Sequence, residues 1–298
     1  MKIDNVAIPI TFLIVLVIWS TTPLAIQWSS AGAPMSSAFL RMLIGVLFCI
    51  SALSLISAGL PLNKGARRLY LIGGASIFIV MSLFYSAAQL IPSGWIAVIF
   101  GLSPIATGLF SSFVEPEAKL TPTRILGLML GFSGLYLVFS AGLDIQEASL
   151  LGVILTLLAT LTSSATSVIS RQLVKNMTLS GMQITTGSLL VAIPFFAIAA
   201  LMLEPEMNID RSTRALSSIA YLGLIGTGIG FTLYYYLLKR VSASRISLIT
   251  LITPISALSV GSWLNNEPLV SEVWMGAGLV CVGLLLYEFK PRLGLRKL

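Results

Sequence analysis

The sequence contains no histidine, which removes Ser-His-Asp and Cys-His catalysis, bis-histidine haem ligation and nearly every common zinc-enzyme site. Cysteine is almost as scarce. Cys49 and Cys281 lie deep in apolar runs, too few for a disulfide scaffold and placed where small packing residues belong. Charge is the third shortage: 10 % of the 298 residues are charged while 56 % are hydrophobic, and mean hydropathy is +0.97. A soluble domain carries about 25 % charge and about 45–50 % apolar residues. Eighteen basic and eleven acidic side chains could not clothe a 31.8 kDa globule in water, so the apolar excess calls for lipid. The loops also lack a Gly-x-x-x-x-Gly-Lys-Ser/Thr stretch and the room for one, which excludes direct ATP drive by this chain alone.

What is present is a succession of segments free of Asp, Glu, Lys and Arg: 5–40, 42–63, 69–114, 125–143, 148–170, 176–203, 215–238, 246–266 and 273–287. A helix crosses the hydrocarbon core with about 20 residues. The segment 69–114 holds two spans turned at Ile91-Pro92-Ser93-Gly94, and the first segment holds one span and the start of another, broken at Ser29–Pro34. Ser29-Ser30-Ala31 imitates a weak signal-peptidase site, but further apolar runs follow at once, so the first run reads as a retained span. The expectation is an all-α integral membrane protein with ten transmembrane helices near 6–26, 35–58, 69–90, 94–113, 123–142, 149–170, 179–202, 215–238, 244–264 and 271–289.

Charge orients these spans. With both termini in the cytoplasm, fourteen basic residues fall in inner loops and tails, among them Lys64, Arg67, Arg68, Lys239 and Arg240, against Arg211 and Arg214 outside. Acids lean the other way, with Asp144, Glu147, Glu204, Glu206, Asp210, Glu267 and Glu272 outside. That asymmetry is the positive-inside signature, and it accounts for the net charge of +7 without a nucleic-acid partner.

The chain also repeats itself. Tyr85 and Tyr235 are offset by 150 positions, as are Pro104 and Pro254; Gly127, Gly134 and Leu135 echo Gly276, Gly283 and Leu284 at 149. Glu115-Pro116 and Glu267-Pro268 follow in the same order. Each half (1–145 and 146–298) holds five expected spans, an odd number, so the halves should lie inverted in the membrane. Two inverted halves let one pattern build both an inward and an outward gate, which is what alternating access requires.

Several stretches carry a family resemblance: Trp19-Ser-Thr-Thr-Pro23, Phe39-Leu-Arg41-Met-Leu-Ile-Gly45, Leu102-Ser-Pro104, Gly127-Leu-Met-Leu-Gly-Phe-Ser-Gly134, Tyr234-Tyr-Tyr-Leu-Leu-Lys-Arg-Val-Ser-Ala-Ser244 and Leu251-Ile-Thr-Pro254. Together they resemble the EamA-type branch of the drug/metabolite transporter superfamily, over nearly the whole chain. The resemblance implies a ten-helix inner-membrane protein exporting amino acids, other small metabolites or drugs. Asn265-Asn266-Glu267-Pro268 stands where many relatives read Gly-Glu.

Candidate substrate-binding residues are Trp19, Arg41, Tyr85, Gln89, Ser163 and Tyr235. Amphipathic rings offer contact area with one hydrogen-bond handle, and Trp19 is too deep for an interfacial belt. Arg41 stands about 9 Å into its helix; it serves either as a carboxylate or gating contact or as a snorkelling, carbonyl-bonded structural residue. Thr156, Thr160, Ser163, Ser167 and Ser170 place five hydroxyls on one helix face, lining a solute path or joining helices. Pro23, Pro104 and Pro254 are candidate kink or gating positions, and Gly223, Gly226 and Gly230 offer either close packing or a bend before Tyr234–Tyr236. No acid is expected at mid-membrane depth, which disfavours permanently cationic cargo and a simple carboxylate proton relay.

The expectation is therefore a secondary transporter, not an enzyme, exporting amino acids or related neutral or zwitterionic metabolites. Its partners are the small-molecule substrate, membrane lipids and either a coupling proton or an exchanged solute; it needs no cofactor or metal and works as a monomer or weak homodimer. The alternatives weighed are an exporter of drugs or other amphipathic compounds, a channel and a membrane-embedded enzyme.

Overall fold

In a bilayer the backbone has no water to bond, so each apolar run satisfies its own N–H and C=O groups by becoming helical. The structure, a computed structural model, describes residues 2–114, 121–140, 147–174, 177–240, 243–267 and 270–288. These form α1 (Lys2–Ser29), α2 (Pro34–Leu55), α3 (Lys64–Ala87), α4 (Ser93–Phe100), α5 (Ser103–Val114), α6 (Pro122–Ser140) and α7 (Glu147–Val174). There follow α8 (Gly181–Leu203), α9 (Thr213–Tyr221), a π-helical segment Leu222–Ile229, α10 (Gly230–Arg240), α11 (Ala243–Asn265) and α12 (Ser271–Glu288). Among the described residues seven stretches are long and apolar enough to cross a membrane, and two shorter apolar helices accompany them. The chain is a multi-pass all-α membrane protein. Large apolar side chains face outward on many helices, among them Leu55 at 86 % and Trp263 at 83 % exposure, a surface that only lipid would cover.

One end of the bundle carries Glu204, Glu206, Asp210, Glu267 and Glu272; the other carries Lys64, Arg67, Arg68, Lys239 and Arg240. Polar caps start several helices. Asn63 accepts from Ala66 N–H at α3, Ser180 and Gln183 form a reciprocal capping box at α8, and Ser212 caps α9. Asp210 accepts from both the amide and the hydroxyl of Ser212, which hold its carboxyl below the usual carboxylate range. That contribution is present near neutral pH and fades as pH falls through the depressed value.

Two of the expected spans depart from simple α-helices. The span expected over 94–113 breaks at Gly101–Leu102, where α4 stops and α5 restarts. Pro104 explains it: without an N–H it cannot bond the Phe100 carbonyl, and its ring would clash there, so it opens a new helix instead. A Cβ on Gly101 would lie 2.8 Å from Pro254 Cγ, so α11 also presses against the break. The expected span 215–238 runs from α9 to α10 through eight π-helical residues, which include Gly223, Gly226, Thr227 and Gly228. π-Bulges concentrate at functional sites because they displace a stretch of helix surface from its regular register.

The helices α6 and α12 approach closely along their lengths. A Cβ on Gly127 would meet the Gly283 carbonyl oxygen at 2.5 Å, and one on Gly134 would meet that of Gly276 at 2.5 Å. Such small-residue seams give helices their van der Waals contact where lipid supplies no hydrophobic drive. Gly278 on the same helix has no neighbour within 4 Å of its would-be Cβ. Gly134→Ala should therefore destabilise the fold by about 1–3 kcal/mol through overpacking, measured as a lower thermal midpoint in detergent. Gly278→Ala should leave that midpoint unchanged or slightly raised, since alanine favours helix by about 1 kcal/mol.

Candidate functional site

Side chains that sequence reasoning would keep apart meet inside the bundle. Trp19 of α1 lies 5.4 Å, centroid to centroid, from Tyr234 of α10 and 6.4 Å from Phe100 at the end of α4. Phe100 stacks edge-on at 5.4 Å against Phe84 of α3, and Tyr234 continues to Tyr235 at 5.5 Å. Five rings thus link α1, α3, α4 and α10. Hydroxyls border them: Tyr234 and Ser167 share a hydrogen bond of 3.2 Å, Ser76 and Thr166 one of 2.7 Å, and Thr21 and Tyr221 one of 2.6 Å. Aromatic faces with hydroxyl edges suit a small solute that is partly apolar and partly polar.

Toward the acidic end lies a second group. Arg41 of α2 is 1 % exposed; its Nε–H donates to Thr227 Oγ1 at 2.9 Å, and its Cζ stands 6.0 Å from the Tyr85 ring centroid. Tyr85 is fully buried in the last turn of α3. Buried in the same bundle, the hydroxyls of Ser37, Tyr70, Tyr85 and Thr185 have no protein hydrogen-bond partner among the described residues. Buried hydroxyls are ordinarily satisfied, so such a set marks a polar interior rather than a sealed apolar core.

The acidic end is knitted shut. Glu204 accepts from the amides of Met35 and Ser36, both at 2.8 Å, at the start of α2. Glu267 accepts from Ser93 Oγ–H at 2.6 Å and from the amides of Ser93 and Gly94 at 3.2 Å, at the start of α4. A carboxylate at a helix N-terminus meets both unpaired N–H groups and the positive end of the helix dipole. Asn265 adds a bridge, accepting from Trp28 Nε1–H at 2.8 Å and donating to Gln27 Oε1 at 3.3 Å.

Of the candidate residues, Trp19 reaches Tyr235 through Tyr234, and Arg41 faces Tyr85. Tyr235 packs with Ala66, Leu69 and Tyr70 in a separate cluster from that of Tyr85. Gln89 lies one turn beyond Tyr85, exposed, donating to Ser30 Oγ. Ser163 is half-buried on α7, and no described side-chain hydrogen bond joins it to the others. Its neighbour Ser164 instead donates to the Ser103 carbonyl beside the helix break, while Thr156 and Thr160 turn back to carbonyls of their own helix. Pro23 is buried in α1, Pro104 begins α5, and Pro254 sits within α11 against Gly101. Sequence reasoning missed Tyr234, Thr227, Glu204 and Glu267 as site-forming groups. The available signals were the tandem tyrosines, the glycine cluster around Thr227 and two acids flanking apolar runs.

Comparison with known proteins agrees with this architecture. A profile of the EamA-like transporter family matches residues 7–140 and again 150–289. "Uncharacterized transporter YoaV" of Bacillus subtilis is 25 % identical over 86 % of this chain and 87 % of its own length. The "Probable amino-acid metabolite efflux pump" of Escherichia coli K12 is 24 % identical over 67 % of this chain and 69 % of its own. "Uncharacterized inner membrane transporter YedA" of Escherichia coli K12 is 24 % identical over 92 % of this chain and 90 % of its own. A solved structure titled "Crystal structure of protein" has the same fold, with a TM-score of 0.70 at 20 % identity, covering 94 % of this chain and 97 % of that one. The chain belongs to the EamA-like transporter family, and it is a transporter rather than an enzyme.

The caps at the acidic end are directly testable. Glu204→Gln and Glu267→Gln keep the shape but remove the charge from hydrogen bonds worth about 1.5–3 kcal/mol. Each should lower the thermal midpoint in detergent, whereas Glu272→Gln, on an exposed first turn, should not.

Proposed function

We propose that this chain is a secondary exporter of amino acids or related small neutral or zwitterionic metabolites, working by alternating access between two inverted five-helix halves, 1–145 and 146–298. The observation that carries the proposal is the packing order of the helices. Exchange of the halves pairs α1 with α7, α2 with α8, α3 with the α9–α10 span, α4–α5 with α11, and α6 with α12. Under that exchange the α1–α11 contact becomes the contact of α7 with α4 and α5, and the α3–α7 contact becomes that of α1 with the α9–α10 span. The α3–α8 contact becomes that of α2 with the π-helical segment and α9, while α2–α8, α4–α11 and α6–α12 each map onto themselves. The glycine seam follows the same rule: Gly127–Gly283 exchanges with Gly276–Gly134. Ten spans related this way present the same machinery to opposite faces.

The charge bias supports placing the acidic end outside and both termini in the cytoplasm of a cell inner membrane. The contacts of Glu204 and Glu267 then close the outer end, since each joins a residue of the second half to a helix start in the first. Export requires that these contacts yield as the inner end closes, and the solute shifts that balance only by binding one state more tightly. The ring group of Trp19 and Tyr235 and the second group of Arg41 and Tyr85, with Gln89 and Ser163 on their borders, form the solute path, and Pro23, Pro104 and Pro254 locate the bends. The efflux-pump relative supports amino-acid metabolites as cargo. A proton or an exchanged solute supplies the drive, in a monomer or weak homodimer without cofactor.

Reconstituted protein should give saturable, counterflow-sensitive flux of amino acids; very fast non-saturating flux would instead mark a pore. Trp19→Ala and Tyr235→Ala should each raise the half-saturation concentration by about tenfold or more, the value of about 1.4 kcal/mol of lost contact. Cysteine labelling should put 115–119 and 265–272 on opposite faces of the membrane, and labelling of both from one face would overturn the inverted arrangement.

A further inference from the structure

Burying a guanidinium with nothing to neutralise it is among the costliest arrangements available inside a membrane protein. Arg41 comes close to it. The residue is 1 % exposed, Nε is held by Thr227, and Nη1 is buried with no protein partner. No acid among the described residues pairs with it. The two carboxylates associated with neighbouring helix starts are already committed, Glu204 to Met35 and Ser36 and Glu267 to Ser93 and Gly94.

The helix seam is also least tight at this cation. Along the contact between α2 and the π-helical segment, a Cβ on Gly45, Gly223 or Gly228 would come within 2.7, 2.6 and 2.5 Å of a neighbour. At Gly226 the nearest atoms would be Leu222 Cδ2 at 3.5 Å and Arg41 Nη2 at 3.6 Å, ordinary contact distances. The seam is thus tight everywhere except beside the guanidinium. Tyr85 Oη and Ser37 Oγ, one on a facing helix and one a turn earlier on α2, are buried hydroxyls without protein partners. A planar guanidinium with a buried, unpartnered Nη1 matches the geometry of a carboxylate.

We propose that Arg41 anchors the carboxylate of the transported solute, with Tyr85 and Gly226 bordering the site. The cargo is then a small carboxylate-bearing molecule, an amino acid or organic acid, and not a cation or an uncharged drug. The assignment rests on the transport reading for its biological meaning but is measurable as binding alone. Thr227 is a positioning residue that fixes the guanidinium through Nε.

The test uses the full chain in nanodiscs, with L-phenylalanine, L-leucine and L-threonine as probes, each beside its own carboxamide. Binding is read by calorimetry and flux by counterflow in proteoliposomes. The wild type should bind at least one acid about tenfold or more tighter than its amide. Arg41→Gln should weaken that acid about ten- to hundredfold while leaving the amide unchanged, and Arg41→Lys should restore part of the loss. Gly226→Ala should fold with an unaltered thermal midpoint and weaken the acid selectively, because its methyl would occupy the space beside Nη2. Equal binding of acid and amide, an Arg41→Gln protein that keeps the acid preference, or no binding of any probe would each overturn the anchor. Should Arg41→Gln not fold, the wild-type acid-to-amide ratio and Gly226→Ala decide. Acid-selective binding without counterflow would sink the transport reading and leave the anchor standing; counterflow without acid preference would do the reverse.

Discussion

Every polar group in a bilayer-spanning segment must find its partner within the protein, and that constraint governs where this chain stays regular and where it does not. Most of the apolar length resolves into helices that bond only themselves and turn large aliphatic side chains outward. The exceptions fall in two places. The buried Arg41 and the π-helical segment lie on facing elements, with partnerless hydroxyls on the α2, α3 and α8 helices packed around them, while the helix break before Pro104 lies against α7 and α11. Irregular backbone and buried charge are tolerated at such depth only where protein or a polar cavity surrounds them.

The two ends of the bundle use polarity differently. At the acidic end, carboxylates sit on helix starts, where the dipole and free amides favour them, and each joins elements distant in sequence. At the basic end, Arg240 lies over the Tyr236 ring at 3.9 Å and Lys239 donates to the Leu179 carbonyl. Carboxylate-to-amide contacts are directional and break as units, whereas cations lying on rings and carbonyls hold over a wider range of geometry.

Much of the fold was legible because hydropathy and charge report the solvent directly. The apolar runs, their turns and the glycine echoes needed no tertiary information; Gly127, Gly134, Gly276 and Gly283, which echo one another between the halves, meet in one seam. The site was legible only in part. Trp19, Arg41 and Tyr85 stood out because their chemistry is anomalous for their depth. Tyr234 did not separate from Tyr235, because which of two adjacent residues faces a given neighbour depends on local helix phase. The π-helical stretch sets that phase, and nothing in Leu222–Ile229 beyond its glycines announces a change of hydrogen-bond period. Glu204 and Glu267 looked like loop charges, since capping across 169 and 174 positions of sequence leaves no local trace.

The π-helical stretch has an evolutionary corollary. An α-helix turns by about 100° per residue, so losing one residue between Thr227 and Tyr234 would swing the tyrosine pair around the helix while Thr227 kept its hold on Arg41. The Arg41–Thr227 contact and the tyrosine pair are therefore geared together by backbone pitch. A single-codon deletion between them changes which helices the tyrosines face without altering the identity of any side chain.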